Sequence, residues 1–188
     1  LKDSEQIKPN IADFFAGAGG LSLGFVHSGY RVCFANDFQD VCVNTYIYNH
    51  PEVPSNKVLC ADIRKIVDNI QDYITDDIDV VIGGPPCQTY STAGRVRDKK
   101  GMENDARNFL FESYVKILEH YLPKLFVFEN VTGLFSAKVG GESILPKVIS
   151  ALGKHYEVIS DPEKIVFNTS NYGVPQIRKR IILIGIRK

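Results

Sequence analysis

Short apolar runs alternate with amphipathic stretches along the chain. Residues 11–15, 31–35, 78–82 and 125–128 are near-continuous apolar runs of strand length, the pattern of strands buried on both faces. Residues 21–27, 41–48, 63–74, 108–121 and 143–152 are amphipathic and predict helices, and 58–60 predicts a short strand. Strands separated by helices imply an α/β fold, with a mostly parallel sheet covered on both faces. Near the end the alternation stops. Residues 163–168 and 180–186 read as strands joined by a turn-rich segment with no room for a helix, so an antiparallel hairpin is expected at one edge. Residues 92–105 are polar and rich in Gly, Arg and Lys, which predicts a mobile loop, and 1–10 reads as a frayed lead-in. No linker divides the chain, so 1–188 is expected to be one domain.

Composition narrows this picture only a little. At 44% hydrophobic residues the chain can bury a core, and its formal net charge of zero announces no overall basic field. None of Cys33, Cys42, Cys60 and Cys87 forms a CxxC pair, which argues against a structural zinc site, and no metal is expected. No cysteine-dense framework or signal peptide is present, so the expected compartment is reducing and intracellular. No apolar run approaches the roughly 20 residues needed to span a bilayer. Cys33, Cys42 and Cys60 sit in apolar or helical patterns and read as buried small hydrophobes.

Candidate chemistry lies where strands end. Asp13-Phe14-Phe15-Ala16-Gly17-Ala18-Gly19-Gly20 follows the first strand and opens a helix. Glycines there let backbone approach a ligand, and the helix start offers free N–H groups. The spacing is not that of the dinucleotide fingerprint, which disfavours a dehydrogenase, and a tight strand-to-helix turn is the plainer alternative. Asp37 ends the second strand, where an acid takes ribose hydroxyls, and Asp62 ends the third, within reach of an adenine amino group. Each could instead cap a helix. Together with the glycine turn they suit an adenosine ligand. Asp13 fits poorly beside a pyrophosphate but tolerates a cationic ligand.

The run Gly83-Gly84-Pro85-Pro86-Cys87-Gln88-Thr89-Tyr90-Ser91 leaves the fourth strand with two prolines and then presents a cysteine. Rigid backbone aims a sulfur, and oriented N–H groups favour the thiolate. These residues resemble the catalytic motif of the cytosine-C5 DNA methyltransferases. Residues 13–20 are similar to that family's cofactor loop, Glu129-Asn130-Val131 to its ENV motif, and Gln176-Ile177-Arg178-Lys179-Arg180 to its QxRxR motif.

The resemblance implies a Rossmann-like methyltransferase fold and methyl transfer from S-adenosylmethionine to carbon 5 of cytosine in double-stranded DNA. It makes Cys87 the nucleophile, Glu129 the acid at ring nitrogen N3, Arg180 the holder of the O2 oxygen and Arg178 its support. Phe15, Gly17, Ala18, Gly20, Asp37, Asp62, Pro86 and Leu110 become cofactor contacts, although the family more often has Glu where Asp37 stands. Gln88, Ser91, Arg95, Arg97, Asn130 and Gln176 become substrate contacts, with Asn130 fixing the catalytic loop. The 92–105 loop becomes a lid closing on a flipped base, its Arg95, Arg97, Lys99 and Lys100 meeting phosphates, with a solvated surface loop as the alternative. Family members continue past the QxRxR strand with a target-recognition domain and a segment completing the cofactor pocket. This chain stops at Lys188. A truncated form, or one chain of a split enzyme whose second polypeptide supplies recognition, is therefore expected, with weak activity alone and an uncovered apolar patch. A restriction–modification system in the bacterial cytoplasm is the commoner home of the family. Methylation of tRNA cytosine and a non-catalytic cofactor-binding subunit stay open as alternatives.

Overall fold

The structure, a computed structural model, describes residues 8–86, 110–139 and 141–188. The first half alternates β1 (Asn10–Phe14), α1 (Gly20–His27), β2 (Arg31–Asp37), α2 (Asp40–Asn49), β3 (Val58–Cys60), α3 (Ile63–Ile66) and β4 (Val80–Gly83). The second half contains α4 (Leu110–Tyr121), β5 (Leu125–Val131), the short pair β6 (Lys138–Val139) and β7 (Glu142–Ser143), and α5 (Ile144–Leu152). It ends with β8 (Tyr156–Ile159), α6 (Pro162–Ile165), β9 (Val166–Asn168) and β10 (Lys179–Arg187).

The main sheet has the order β3-β2-β1-β4-β5-β10-β8, with β9 paired to the start of β10. All pairings from β3 to β5 are parallel, and β10 runs antiparallel to β5, β8 and β9. The chain moves outward from β1 to β2 and β3, then returns to the other side of β1 with β4. That reversal opens a crevice at the carboxyl ends of β1 and β4, where ligands bind in such sheets.

Alternation along each strand feeds two cores. Ala12, Phe14, Phe126, Phe128, Ile181 and Leu183 face α3, α4 and α5, whereas Ile11, Val80, Ile82 and Val127 face α1 and α2. In α4 the buried positions are Leu110, Ser113, Tyr114, Ile117 and Leu118, one stripe at helical spacing. Fully buried Tyr114 places its hydroxyl 3.1 Å from the Val81 carbonyl and 3.0 Å from that of Val127, tying α4 to β4 and β5.

The expected α/β class with antiparallel strands at one side of the sheet is observed. Several details differ. The 63–74 helix is broken: α3 gives way to a 3-10 segment, Val67–Asp72, because Asn69 takes the non-helical angles φ −126, ψ 32. Ile63, Ile66, Ile70 and Ile74 nevertheless all reach the core. The first three residues of 163–168 lie in a helical turn capped by Asp161, so β9 is shorter than expected. β8 was not foreseen, since only Tyr156 in it is buried and an edge strand leaves no apolar run. Its presence puts β10 inside the sheet rather than at its margin. Cys33 is buried as expected and Cys42 partly so, but Cys60 is exposed, because β3 ends there at the sheet's open edge. Residues 1–7, and the 92–105 loop with its neighbours, lie outside the described residues. Among the described residues no helix is long and apolar enough to cross a membrane.

Candidate active site

The site begins where β1 ends. Phe15 (φ 60), Gly17 (φ 57) and Gly19 (φ 86) adopt left-handed angles and turn the chain sharply into α1. For Phe15 this conformation is costly and survives only where surrounding contacts enforce it. Glycine is obligatory at 19 for a second reason: an added Cβ would lie 2.2 Å from His50 Nε2. Gly19, at the N-cap of α1, has no side chain to bond the first amides, and among the described residues none bonds those of Gly20 and Leu21, which leaves them to a ligand.

Hydrogen bonds lace this turn to the two neighbouring strand ends. The Gly17 amide donates to Asp37 Oδ2 and the Gln39 amide to Asp37 Oδ1, each at 2.9 Å. Ala16 N–H donates to the Asn36 carbonyl and Ala61 N–H to the Asp37 carbonyl, both at 3.0 Å. Buried Asn36 donates through Nδ2 to the carbonyls of Leu59 and Ala61, each at 3.0 Å. Asp62 caps α3 by accepting from the Arg64 amide at 3.0 Å and pairs with the Arg64 guanidinium. That guanidinium bond, above all, holds the Asp62 carboxyl below the ordinary carboxylate range.

A cavity of about 290 Å³ lies at these strand ends, lined by Phe15, Asn36, Phe38, Gln39, Ala61, Asp62, Ile63, Arg64, Pro86 and Leu110. Among the described residues its walls are largely apolar, with one ionised acceptor, Asp62. This is the chemistry a flat heteroaromatic ring bearing an amino group requires. Of the residues expected to bind cofactor, Phe15, Asp62, Pro86 and Leu110 line it directly. Gly17, Ala18 and Gly20 form the adjoining turn, and Asp37 holds that turn in place. Sequence reasoning missed Asn36, Phe38, Gln39, Ile63 and Arg64. The clue at Phe38 was an aromatic directly after a strand-ending acid, left 63% exposed by the fold.

Asp13, considered earlier beside a charged ligand, does not face this cavity. Strand alternation turns it under α1, where it is fully buried and accepts from Ser22 Oγ at 2.6 Å. Burial pushes its carboxyl up to about 7, against the lowering effect of the Ser22 bond.

Beside the cavity, β4 ends at Gly83 and the chain continues as Gly84-Pro85-Pro86. Asn130 is buried and donates through Nδ2 to the Pro85 carbonyl at 3.1 Å. It therefore steadies the proline segment from within. Glu129, on β5, pairs through Oε1 with Arg180 Nε, on β10, at 2.9 Å. The antiparallel register sets Ile182 opposite Glu129 and Arg180 opposite Val131, so the two charges meet diagonally across adjacent strands. Both are partly open to solvent, 30% and 23%. Gly84 lies against this pair, and a Cβ there would sit 2.8 Å from Glu129 Oε2.

Arg178 and Gln176 lie in the β9–β10 connection with exposed side chains. Their backbones are held by Asn168 Oδ1, which accepts from Arg178 N–H at 3.2 Å, and by Thr169 Oγ1, which donates to the Gln176 carbonyl at 2.5 Å. Cys87, Gln88, Ser91, Arg95 and Arg97 lie outside the described residues.

The profile of C-5 cytosine-specific DNA methylases matches residues 9–188. The chain belongs to the C-5 cytosine-specific DNA methylase family. Similar proteins include Type II methyltransferase M.XorII of Xanthomonas oryzae, 40% identical over 96% of this chain and 41% of that protein. Type II methyltransferase M.AgeI of Thalassovita gelatinovora is 36% identical over 92% of this chain and 38% of its own length. Type II methyltransferase M.AquIA of Picosynechococcus is 33% identical over 96% of this chain and 73% of its length. This chain thus spans well under half of the first two and nearly three quarters of the third. Among solved structures, a protein described as a DNA modification methyltransferase encoded within an E. coli prophage superposes with a TM-score of 0.75. It is 30% identical over 96% of this chain and 47% of its own. The Entamoeba histolytica methyltransferase EhMeth shares the fold at a TM-score of 0.69 and 20% identity, covering 96% of this chain and 53% of its own. C-5 cytosine methylases of this fold use S-adenosyl-L-methionine as methyl donor.

Proposed function

We propose that residues 1–188 carry the cofactor-binding and catalytic part of a DNA cytosine C5 methyltransferase. The observation that carries this reading is the Glu129–Arg180 pair, set against Gly84 at the end of β4, with Pro86 lining the adjoining cavity. A methylase needs a cysteine, an acid and a base-holding cation at one end of the sheet, beside a nucleoside-sized pocket. Cys87 follows Pro86 directly in the sequence.

The cavity's acceptor and apolar walls fit the adenosyl group of S-adenosylmethionine. When bound, the cofactor supplies an electrophilic methyl group. The chain's task is to make carbon 5 of cytosine nucleophilic. The Cys87 thiolate adds to carbon 6, and electron density moves through the ring towards N3 and carbon 5. In the free chain Glu129 and Arg180 satisfy each other. An incoming base takes their place as partner, with the Glu129 carboxyl hydrogen-bonded at N3 and the Arg180 guanidinium at O2, each meeting charge as it develops. At N3 the carboxyl has to act as donor, so the base is met by its protonated form. Loss of the carbon-5 proton and expulsion of Cys87 then restore the aromatic ring. Arg178 and Gln176, exposed on the neighbouring connection, would meet the DNA rather than the ring. Gln88, Ser91, Arg95 and Arg97 complete the substrate contacts in this reading.

The test is covalent trapping on a 5-fluorocytosine duplex with S-adenosylmethionine. The wild type is expected to form a stable adduct and a Cys87→Ser variant none. Trapping by Cys87→Ser would overturn the nucleophile, and transfer of labelled methyl to tRNA but not to duplex DNA would overturn the substrate. Recognition of the target site by a second polypeptide belongs to the same reading, so the assay is run with and without proteins encoded nearby. A bacterial restriction–modification setting, in the cytoplasm, follows from it.

A further inference from the structure

The end of α2 grips the cofactor turn at consecutive carbonyls. Asn49 Nδ2 donates to the Ala18 carbonyl at 2.9 Å, and His50 Nε2 donates to the Gly19 carbonyl at 2.9 Å. His50 is 1% exposed, although histidine is a polar residue that seldom occupies such a place without a reason. One turn earlier, Tyr46 stacks on the His50 ring at 4.5 Å and donates to Ser22 Oγ at 2.8 Å, inside α1. The other ring nitrogen, Nδ1, lies 2.9 Å from Glu52 Oε1. Burial works to raise the Glu52 carboxyl, but its bonds to His50 and to its own backbone outweigh this and hold it below the ordinary range. A carbonyl only accepts, so Nε2 carries the hydrogen shared with Gly19.

The consequence for the turn is geometric. In a trans peptide the C=O and the following N–H point opposite ways. The Gly19 carbonyl accepts from both Leu23 N–H, at 2.9 Å, and His50, so both its lone pairs are occupied. That fixes the plane of the Gly19–Gly20 peptide, and with it the aim of the Gly20 amide at the uncapped start of α1.

We propose that His50 and Asn49 are positioning residues for the cofactor: they lock the glycine turn through the carbonyls of Gly19 and Ala18 and so hold the α1 amides in binding geometry. This rests on the cofactor site described above. Neither residue touches the cavity, and both act through the turn.

The experiment titrates S-adenosylhomocysteine into the wild type, His50→Leu, His50→Gln and Asn49→Ala by calorimetry. Amide exchange at Gly20 and Leu23 is followed in the cofactor-free proteins. Leucine fills the space without a donor, whereas a glutamine amide nitrogen lies about as far from the backbone as Nε2 and keeps the Gly19 bond. His50→Leu is expected to raise Kd about tenfold, equivalent to about 1.4 kcal/mol, with His50→Gln recovering most of it. Asn49→Ala, an exposed change that leaves the fold intact, is expected to raise Kd about threefold, and exchange at Gly20 should quicken in step. Equal affinities across the series would overturn the proposal. So would a glutamine variant as weak as the leucine one, because the site would then need the ring's volume and not its N–H. Absence of any wild-type binding would overturn the cofactor site itself, and the positioning role with it; faster exchange in His50→Leu would still show the grip on the turn.

Discussion

Replacing Asp13 by Asn should flatten the dependence of stability on pH. Asp13 is fully buried beneath α1, and its carboxyl is pushed from the ordinary 3.8 to about 7, chiefly by burial. The folded chain therefore holds this proton more tightly than the unfolded chain does. Stability contributed by the neutral carboxyl is lost as pH rises from about 4 to about 7 and stays level above that. The full displacement corresponds to roughly 4 kcal/mol, and the interval from about pH 5 to about pH 8 captures ~2.5 kcal/mol of it. The asparagine variant keeps an oxygen to accept from Ser22 Oγ, which lies 2.6 Å from Asp13 Oδ2, and has no charge to bury. Asp62, Asp76, Asp79 and Glu142 are held below their ordinary values by cationic partners. Their contributions fade only as pH falls through those lowered values, so they are constant across this interval. Urea denaturation at several pH values measures the effect. The variant should gain on the wild type by ~2.5 kcal/mol between about pH 5 and about pH 8. Parallel curves for the two proteins would mean that the carboxyl is ionised in the fold, and the argument from burial would fail.

Two further outcomes follow from close contacts. Gly84→Ala puts a methyl 2.8 Å from Glu129 Oε2, so it should shift the carboxylate from Arg180 and cut methyl transfer roughly a hundredfold at an unchanged circular-dichroism spectrum. Activity within twofold of wild type would show that the carboxylate has room to spare. Gly185→Ala, far from the cavity, drives a Cβ to 2.1 Å from the Phe126 ring and should cost about 1–3 kcal/mol in thermal or urea unfolding without altering cofactor affinity in whatever fraction stays folded.

Much of this protein could be read from residue order alone. The strands from β1 to β5 are short, apolar and separated by helices, and local pattern is enough to recognise them. Glycines, acids and a proline-flanked cysteine at successive strand ends pointed to one edge of one sheet, because a parallel sheet brings its carboxyl ends together. What residue order left undetermined depends on contacts between distant segments. β8 has one buried residue and no periodicity, so only its pairing with β10 makes it a strand and moves β10 into the sheet's interior. Cys60 looked like a core residue until the end of β3 left it in solvent. Asp37 and Asp62 carried the signal of ligand contacts, yet Asp37 spends its oxygens on the Gly17 and Gln39 amides while Asp62 faces the cavity. Asp13 and His50 are separated in sequence by the whole of α1, β2 and α2, and only the packing of α2 on the glycine turn makes them parts of one buried polar network, through Ser22 and Tyr46. Periodicity reports which way a side chain points within its own element, whereas the partner it meets is decided by which elements pack together.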